Sequence, residues 1–211
     1  QHGVDYIVET LMNAAPKTIT LCTLGPLTNI AMALVKQPAI AERIQEIVMM
    51  GGAYFEVGNI TPAAEFNIYV DPEAADVVMR CGAPITVLSL DVTHMIQSTP
   101  ARLKAIKALG NQSGEAVHAM LTFSETFDLE KYGWDGAPLH DPTVIAYLLQ
   151  PELFEGRHCN VTIETASELT MGMTVADFWH VTGRSYNANW IRSGDADRFY
   201  ALLTERLARL P

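Results

Sequence analysis

TITLCTLGPLTNIAMALV, Thr18 to Val35, decides the fold class. Its β-branched start, Thr18–Cys22, predicts a buried strand. Gly25-Pro26 supplies a turn, and Leu27–Val35 predicts a helix that stops before Pro38. The alternation continues downstream. Glu46–Met50 predicts a second apolar strand, closed by Gly51-Gly52. Pro72–Cys81 predicts a helix with Asp71 as N-cap and Pro72 at its first position. Ile85–Leu90 predicts a third strand. Strands alternating with helices argue for an α/β fold with a mostly parallel central sheet covered on both faces.

Working outward, Val4–Ala14 predicts a helix before the first strand. Pro100–Leu109 and Gly114–Glu130 predict two more, followed by a glycine-containing loop, Tyr132–Leu139. Pro142–Leu149 predicts a helix capped by Asp141. Asn160–Glu164 and Thr174–Phe178 alternate as strands, close enough to add a small antiparallel portion, and Asp195–Leu207 predicts a terminal helix. No repeat, linker or low-complexity segment interrupts the chain, so residues 1–211 read as a single domain.

The 211 residues are 49% hydrophobic and 18% charged, a globular composition with enough chain for a sizeable core. The net charge of −10 argues against nucleic acid as a partner and favours an uncharged or cationic small ligand. No apolar run approaches the roughly 18 residues of a membrane span, so no membrane association is expected. Cys22, Cys81 and Cys159 are odd in number and far apart. Cys22 and Cys81 lie in or beside apolar segments and read as buried free thiols, which suits a reducing, cytoplasmic setting. The chain begins Gln1-His2-Gly3 and runs straight into a helical pattern, from which a fragment or a processed chain is expected.

Sheets of this kind bind ligands beyond the carboxyl ends of their strands. Those ends are Thr23-Leu24-Gly25, Met50-Gly51-Gly52 and Asp91-Val92-Thr93-His94. After the second comes GNITPAAEFN, Gly58–Asn67, with Asn59, Glu65 and Asn67 around apolar residues. These side chains either satisfy turn backbone or hold something polar. Glu65, between Ala64 and Phe66, has little reason to be buried unless paired. Two amides and a carboxylate together offer the donors and acceptors that sugar hydroxyls need. In LHDPTVIAYLL, Leu139–Leu149, Asp141 before Pro142 is an ordinary helix start. It could also offer a carboxylate to a hard cation, and His140 a proton near neutral pH. His94 reads as structural. Nucleotide-binding glycine fingerprints, Cys-x-x-Cys and Gly-x-Ser-x-Gly are missing, which argues against a dinucleotide-dependent oxidoreductase.

TLGPLTNIAMAL, IVMMGGAYFEVGN, AEFNIYVDPEAADVV, LDVTH, LHDPTVIAYLL and LTMGMTVAD resemble, in order and spacing, the inosine-uridine preferring nucleoside hydrolases. The resemblance runs from near Thr18 to the terminal helix. It implies calcium-assisted attack of water on the anomeric carbon of a ribonucleoside, through an oxocarbenium-like transition state, releasing ribose and base. It implies that Asn59, Glu65 and Asn67 grip the ribose hydroxyls. Asp141 and the Thr23 carbonyl would be calcium ligands, and His140 would help protonate the leaving base. A histidine before the metal-binding aspartate marks family members that accept pyrimidine nucleosides or are non-specific, so uridine, cytidine or inosine is expected. Homo-oligomers, dimers or tetramers, are the family habit.

The chain departs from the family in one respect. The motif Asp-x-Asp-Pro-Gly-x-Asp-Asp, which supplies most calcium ligands and the base for water, is absent. The expectation is therefore the C-terminal two-thirds of such an enzyme, a poor catalyst by itself. The alternative is a non-catalytic nucleoside- or ribose-binding module.

Overall fold

The computed structural model describes the backbone of residues 1–211 and every side chain except those of residues 125–132. Two compact units divide the chain, residues 1–91 with 155–192 and residues 92–154 with 193–211.

The first unit opens with α1 (Gly3–Asn13), β1 (Ile19–Thr23), α2 (Thr28–Lys36), α3 (Ile40–Arg43) and β2 (Ile44–Met50). The single turn α4 (Phe66–Tyr69), then α5 (Pro72–Met79) and β3 (Ile85–Leu88), complete its N-terminal part. A second single turn, α6 (Leu90–Thr93), leads out of it. The second unit carries α7 (Pro100–Lys107), α8 (Gln112–Tyr132), α9 (Pro142–Leu149) and a two-stranded antiparallel ribbon of β4 (Gln97–Ser98) and β5 (Ala137–Pro138). The chain ends with β6 (Phe154–Ile163), β7 (Thr174–Asp177), β8 (Ala188–Gly194) and α10 (Ala196–Leu207).

The central sheet runs β1-β2-β3-β8-β6-β7. Neighbours from β1 to β8 are parallel, and β6 pairs with β7 antiparallel from Asn160↔Asp177 to Ile163↔Thr174. Both the parallel sheet and its small antiparallel portion match the sequence reading. Ile47–Met50 and all of β3 are buried, as expected of strands covered on both faces. The core joins Ile47, Met49, Val87 and Trp190 of the sheet to Leu34 of α2 and Val78 and Met79 of α5. Among the described residues no helix is long and apolar enough to cross a membrane.

The structure corrects several expectations. β1 is an edge strand with a neighbour on one side only, and most of its residues are incompletely buried. Cys22 is therefore exposed rather than buried, Cys81 is half-buried, and Cys159 on β6 is buried. All three are free thiols. The third strand ends at Leu88, and the chain then turns into α6, which places Asp91 and Thr93 on a helical turn. β8 carries no clear alternation in the sequence, yet it sits inside the sheet between β3 and β6.

Candidate active site

β2 stops at Met50, and side chains hold much of the backbone that follows. Gly52 adopts φ +84°, and a Cβ there would approach Thr174 to 3.0 Å. Only glycine meets both conditions without strain. Its N–H donates to Glu65 Oε2 at 3.0 Å, and Glu65 Oε1 accepts from the Asn67 N–H at 3.0 Å. Glu65 is buried and serves as the N-cap of α4. Its carboxylate fastens the end of β2 to the start of that turn. Asn67 Nδ2 donates to the Met50 carbonyl at 3.2 Å, and Asn59 Oδ1 accepts from the Phe66 N–H at 2.9 Å. Asn67 Oδ1 accepts no hydrogen bond among the described residues.

The three residues singled out in GNITPAAEFN are thus brought together at one strand end. Each braces the loop in its own right. Gly58 makes the bend possible, since a Cβ there would lie 2.2 Å from the Thr61 carbonyl oxygen and 2.4 Å from the Ala64 nitrogen. Both obstacles are backbone. Gly58→Ala is expected to cost about 1–3 kcal/mol by forced displacement of the loop, read as a lower urea midpoint at unchanged slope.

Two further anchors carried no signal of this role in the sequence. Asp91 is buried, and its Oδ1 accepts from three successive backbone N–H groups, Tyr54 at 3.1 Å, Phe55 at 3.0 Å and Glu56 at 2.9 Å. Its Oδ2 accepts from Trp190 Nε1 at 2.8 Å. Thr174, from the LTMGMTVAD stretch, clamps Ala53 from the other side. Its Oγ1 accepts from the Ala53 N–H at 2.9 Å and donates to the Ala53 carbonyl at 2.7 Å. Thr23 ends β1 beside Met49 of β2. Thr23 Oγ1 is the one buried side-chain nitrogen or oxygen among the described residues with no hydrogen-bond partner.

In the second unit, His140 Nδ1 lies 2.8 Å from Thr93 Oγ1. Its ring faces that of His94 at 6.0 Å between centroids, and His94 packs edge-on to Trp134 at 4.8 Å. Burial, with a smaller contribution from His94, lowers the His140 pKa to about 4, so the ring is neutral at pH 7. A neutral ring that accepts the Thr93 hydroxyl proton at Nδ1 carries its own proton on Nε2 and offers it as a hydrogen-bond donor. Asp141 corrects the capping expectation. It occupies the N-cap position of α9, but its backbone is already helical, at φ −58° and ψ −40°, and its side chain makes no cap bond. A capping side chain needs an extended backbone to reach the N–H groups ahead of it. The carboxylate is left without a hydrogen-bond or ion-pair partner among the described residues, and burial raises its pKa.

The expected calcium can be tested against these donors. Among the described residues no three His, Cys, Asp or Glu side chains gather to hold a metal. Calcium takes about 6–8 oxygens. Asp141 and Thr23 fall far short, even counting the orphaned Thr23 hydroxyl, so the described residues do not fit the ion on their own. Titration of calcium into this chain is expected to give no saturable heat below about 1 mM, the weak end of protein calcium sites. A site tighter than that would contradict the donor count.

The profile of the inosine-uridine preferring nucleoside hydrolases matches residues 1–201. An uncharacterized protein of Schizosaccharomyces pombe is 52% identical over 210 residues, which cover 100% of this chain and 68% of that protein. A pyrimidine-specific ribonucleoside hydrolase of Shewanella sp. strain ANA-3 is 48% identical over 98% of this chain and 65% of its own length. The solved structure of a purine-preferring ribonucleoside hydrolase from Gardnerella vaginalis superposes with a TM-score of 0.90 at 31% identity, covering 100% of this chain and 66% of that one. The chain spans about two thirds of the length of these relatives. With a matching profile over nearly its whole length and the matching sheet, the chain belongs to the inosine-uridine preferring nucleoside hydrolase family.

Proposed function

We propose that the complete protein hydrolyses the N-glycosidic bond of ribonucleosides to ribose and free base, and that this chain supplies its sugar-binding residues. The observation that carries the reading is the gathering of Asn59, Glu65 and Asn67 at the carboxyl end of β2 in a chain of this family. Asn67 Oδ1 accepts from a ribose hydroxyl, and Glu65 and Asn59 hold the loop so that this oxygen keeps its place. His140 donates a hydrogen bond to the departing base from its neutral ring. Asp141 and Thr23 contribute oxygens toward calcium in the complete protein. They do not make a site by themselves.

A pyrimidine nucleoside is the preferred substrate in this reading. His140 supports it, and so does the pyrimidine-specific Shewanella relative. The purine-preferring Gardnerella structure is less similar in sequence. A cytoplasmic location and a homo-oligomer complete the proposal. The three free thiols support the first.

Release of reducing sugar from uridine and inosine by the complete protein tests the proposal. Cleavage is expected, with uridine preferred, and Asp141→Ala is expected to abolish it. Full activity in that variant would sink the assignment of Asp141. A second reading, a ribose- or nucleoside-binding module without turnover, is favoured by the missing metal cluster among the described residues. It predicts nucleoside binding that is indifferent to EDTA and releases no sugar.

A further inference from the structure

The hydroxyl of Thr93 serves a residue far along the chain. A threonine in a helical turn ordinarily donates to the carbonyl three or four residues back. Thr93 closes the single turn α6, is fully buried, and makes no such bond among the described residues. Its Oγ1 has one partner there, His140 Nδ1 at 2.8 Å, 47 residues further on.

Either atom can hold the proton of that bond, and the two cases differ in cost. If the ring donates from Nδ1, the Thr93 hydroxyl proton sits in a buried position bonded to no acceptor among the described residues, and the desolvation of that group goes uncompensated. If the hydroxyl donates, its proton is satisfied. The ring proton then stands on Nε2, which bonds nothing among the described residues. His140 is only partly buried, so an Nε2–H can reach water or a ligand. Burial of Thr93 therefore favours the second case.

The ring is also held in place for this bond. The His140 carbonyl accepts from the Thr143 N–H at 3.0 Å, which ties the residue to the first turn of α9. The His94 ring lies across from it at 6.0 Å between centroids, backed by Trp134 at 4.8 Å.

We propose that Thr93 is a positioning residue: its hydroxyl fixes His140 as the Nε2–H tautomer, so the ring meets the departing base as a hydrogen-bond donor and not as an acceptor. The proposal rests on the leaving-group role given to His140 above. It adds a requirement on the substrate. The departing base must present a lone pair to that N–H, such as the O2 carbonyl of uracil or cytosine.

Two measurements on the complete protein test it. The first is ¹⁵N–¹H correlation of the histidine rings at pH 8, where an imidazole with an ordinary pKa of about 6.5 is neutral. Loss of signals in His140→Gln assigns the ring. The wild type is expected to show the Nε2–H tautomer alone. Thr93→Val keeps the shape, removes the hydroxyl, and is expected to show both tautomers. Thr93→Ser is expected to restore the single form. The second measurement compares uridine with p-nitrophenyl riboside, whose phenolate departs without a donor. Thr93→Val is expected to lower kcat on uridine by about tenfold with KM little changed, and to leave the p-nitrophenyl riboside nearly unaffected. Thr93→Ser is expected to recover most of the uridine rate. A mixed tautomer in the wild type, an unchanged tautomer in Thr93→Val, or an equal loss on both substrates would each overturn the proposal. Equal loss is what a merely structural defect gives. If the complete protein cleaves neither substrate, the enzymatic reading fails, and the tautomer measurement alone decides the place of Thr93.

Discussion

Replacing Asp91 by alanine is expected to destabilise the protein by about 3–4 kcal/mol, near the upper end for a single polar deletion. The carboxylate serves four donors at once, three loop amides through one oxygen and the Trp190 indole through the other. The loop residues are half-buried or exposed, so water can replace part of what their amides lose. Trp190 is fully buried in the core, and its N–H would be left with nothing. Asp91→Asn separates the two contributions. Its remaining oxygen can keep the loop amides while its NH₂ is forced against the indole donor, at an expected cost of about 1–3 kcal/mol. Urea unfolding checks both values. A loss under about 1 kcal/mol for Asp91→Ala would mean that the loop does not depend on this hub.

Glu65→Gln should cost more in function than in stability. Each carboxylate oxygen accepts from a backbone N–H, one from Gly52 and one from Asn67. An amide has only one acceptor oxygen, so its NH₂ must face one of those donors. The expected loss of stability is about 1–3 kcal/mol, because the group is buried. The functional cost is larger. The same bonds fix where Asn67 projects, and a reaction through an oxocarbenium-like state depends on sugar hydroxyl contacts that tighten as charge develops. For the complete protein, kcat/KM on uridine is expected to fall by about 10²–10³-fold, the range seen when one oriented transition-state contact is lost. A variant that folds and cleaves normally would show that Glu65 only braces the loop.

How much of this was legible in the sequence depends on whether the governing interaction is local. The helix starting at Pro72 and the apolar strand ending at Met50 are written in caps, turns and hydrophobic runs within a few residues. Both stand where the residues placed them. β8 is not written that way. Asn189, Arg192 and Ser193 break its apolar run, and its place between β3 and β6 comes from pairing with distant strands. Cys22 was misjudged because an apolar neighbourhood does not reveal whether a strand lies at the centre or the edge of a sheet. Asn59, Glu65 and Asn67 stood out as polar residues in an apolar setting, and they do meet at one strand end. What they bond was invisible, because the Gly52, Phe66 and Asn67 amides and the Met50 carbonyl are backbone groups. The same holds for Asp91, whose loop amides lie 35 to 37 residues away. The Asp-Pro pair at 141–142 looked like a cap, and only the backbone angles show that it is not one.

The claim that this chain carries the sugar-binding residues of a nucleoside hydrolase is tested most directly by titrating ribose into the ¹⁵N-labelled chain and following its amide resonances. Saturable shifts are expected at Gly52, Phe66 and Asn67, whose N–H groups lie in the network of the proposed sugar contact, and Asn67→Ala should remove them. If ribose leaves those three amides unmoved, or shifts them equally in Asn67→Ala, the polar loop is only a brace and the sugar site lies elsewhere.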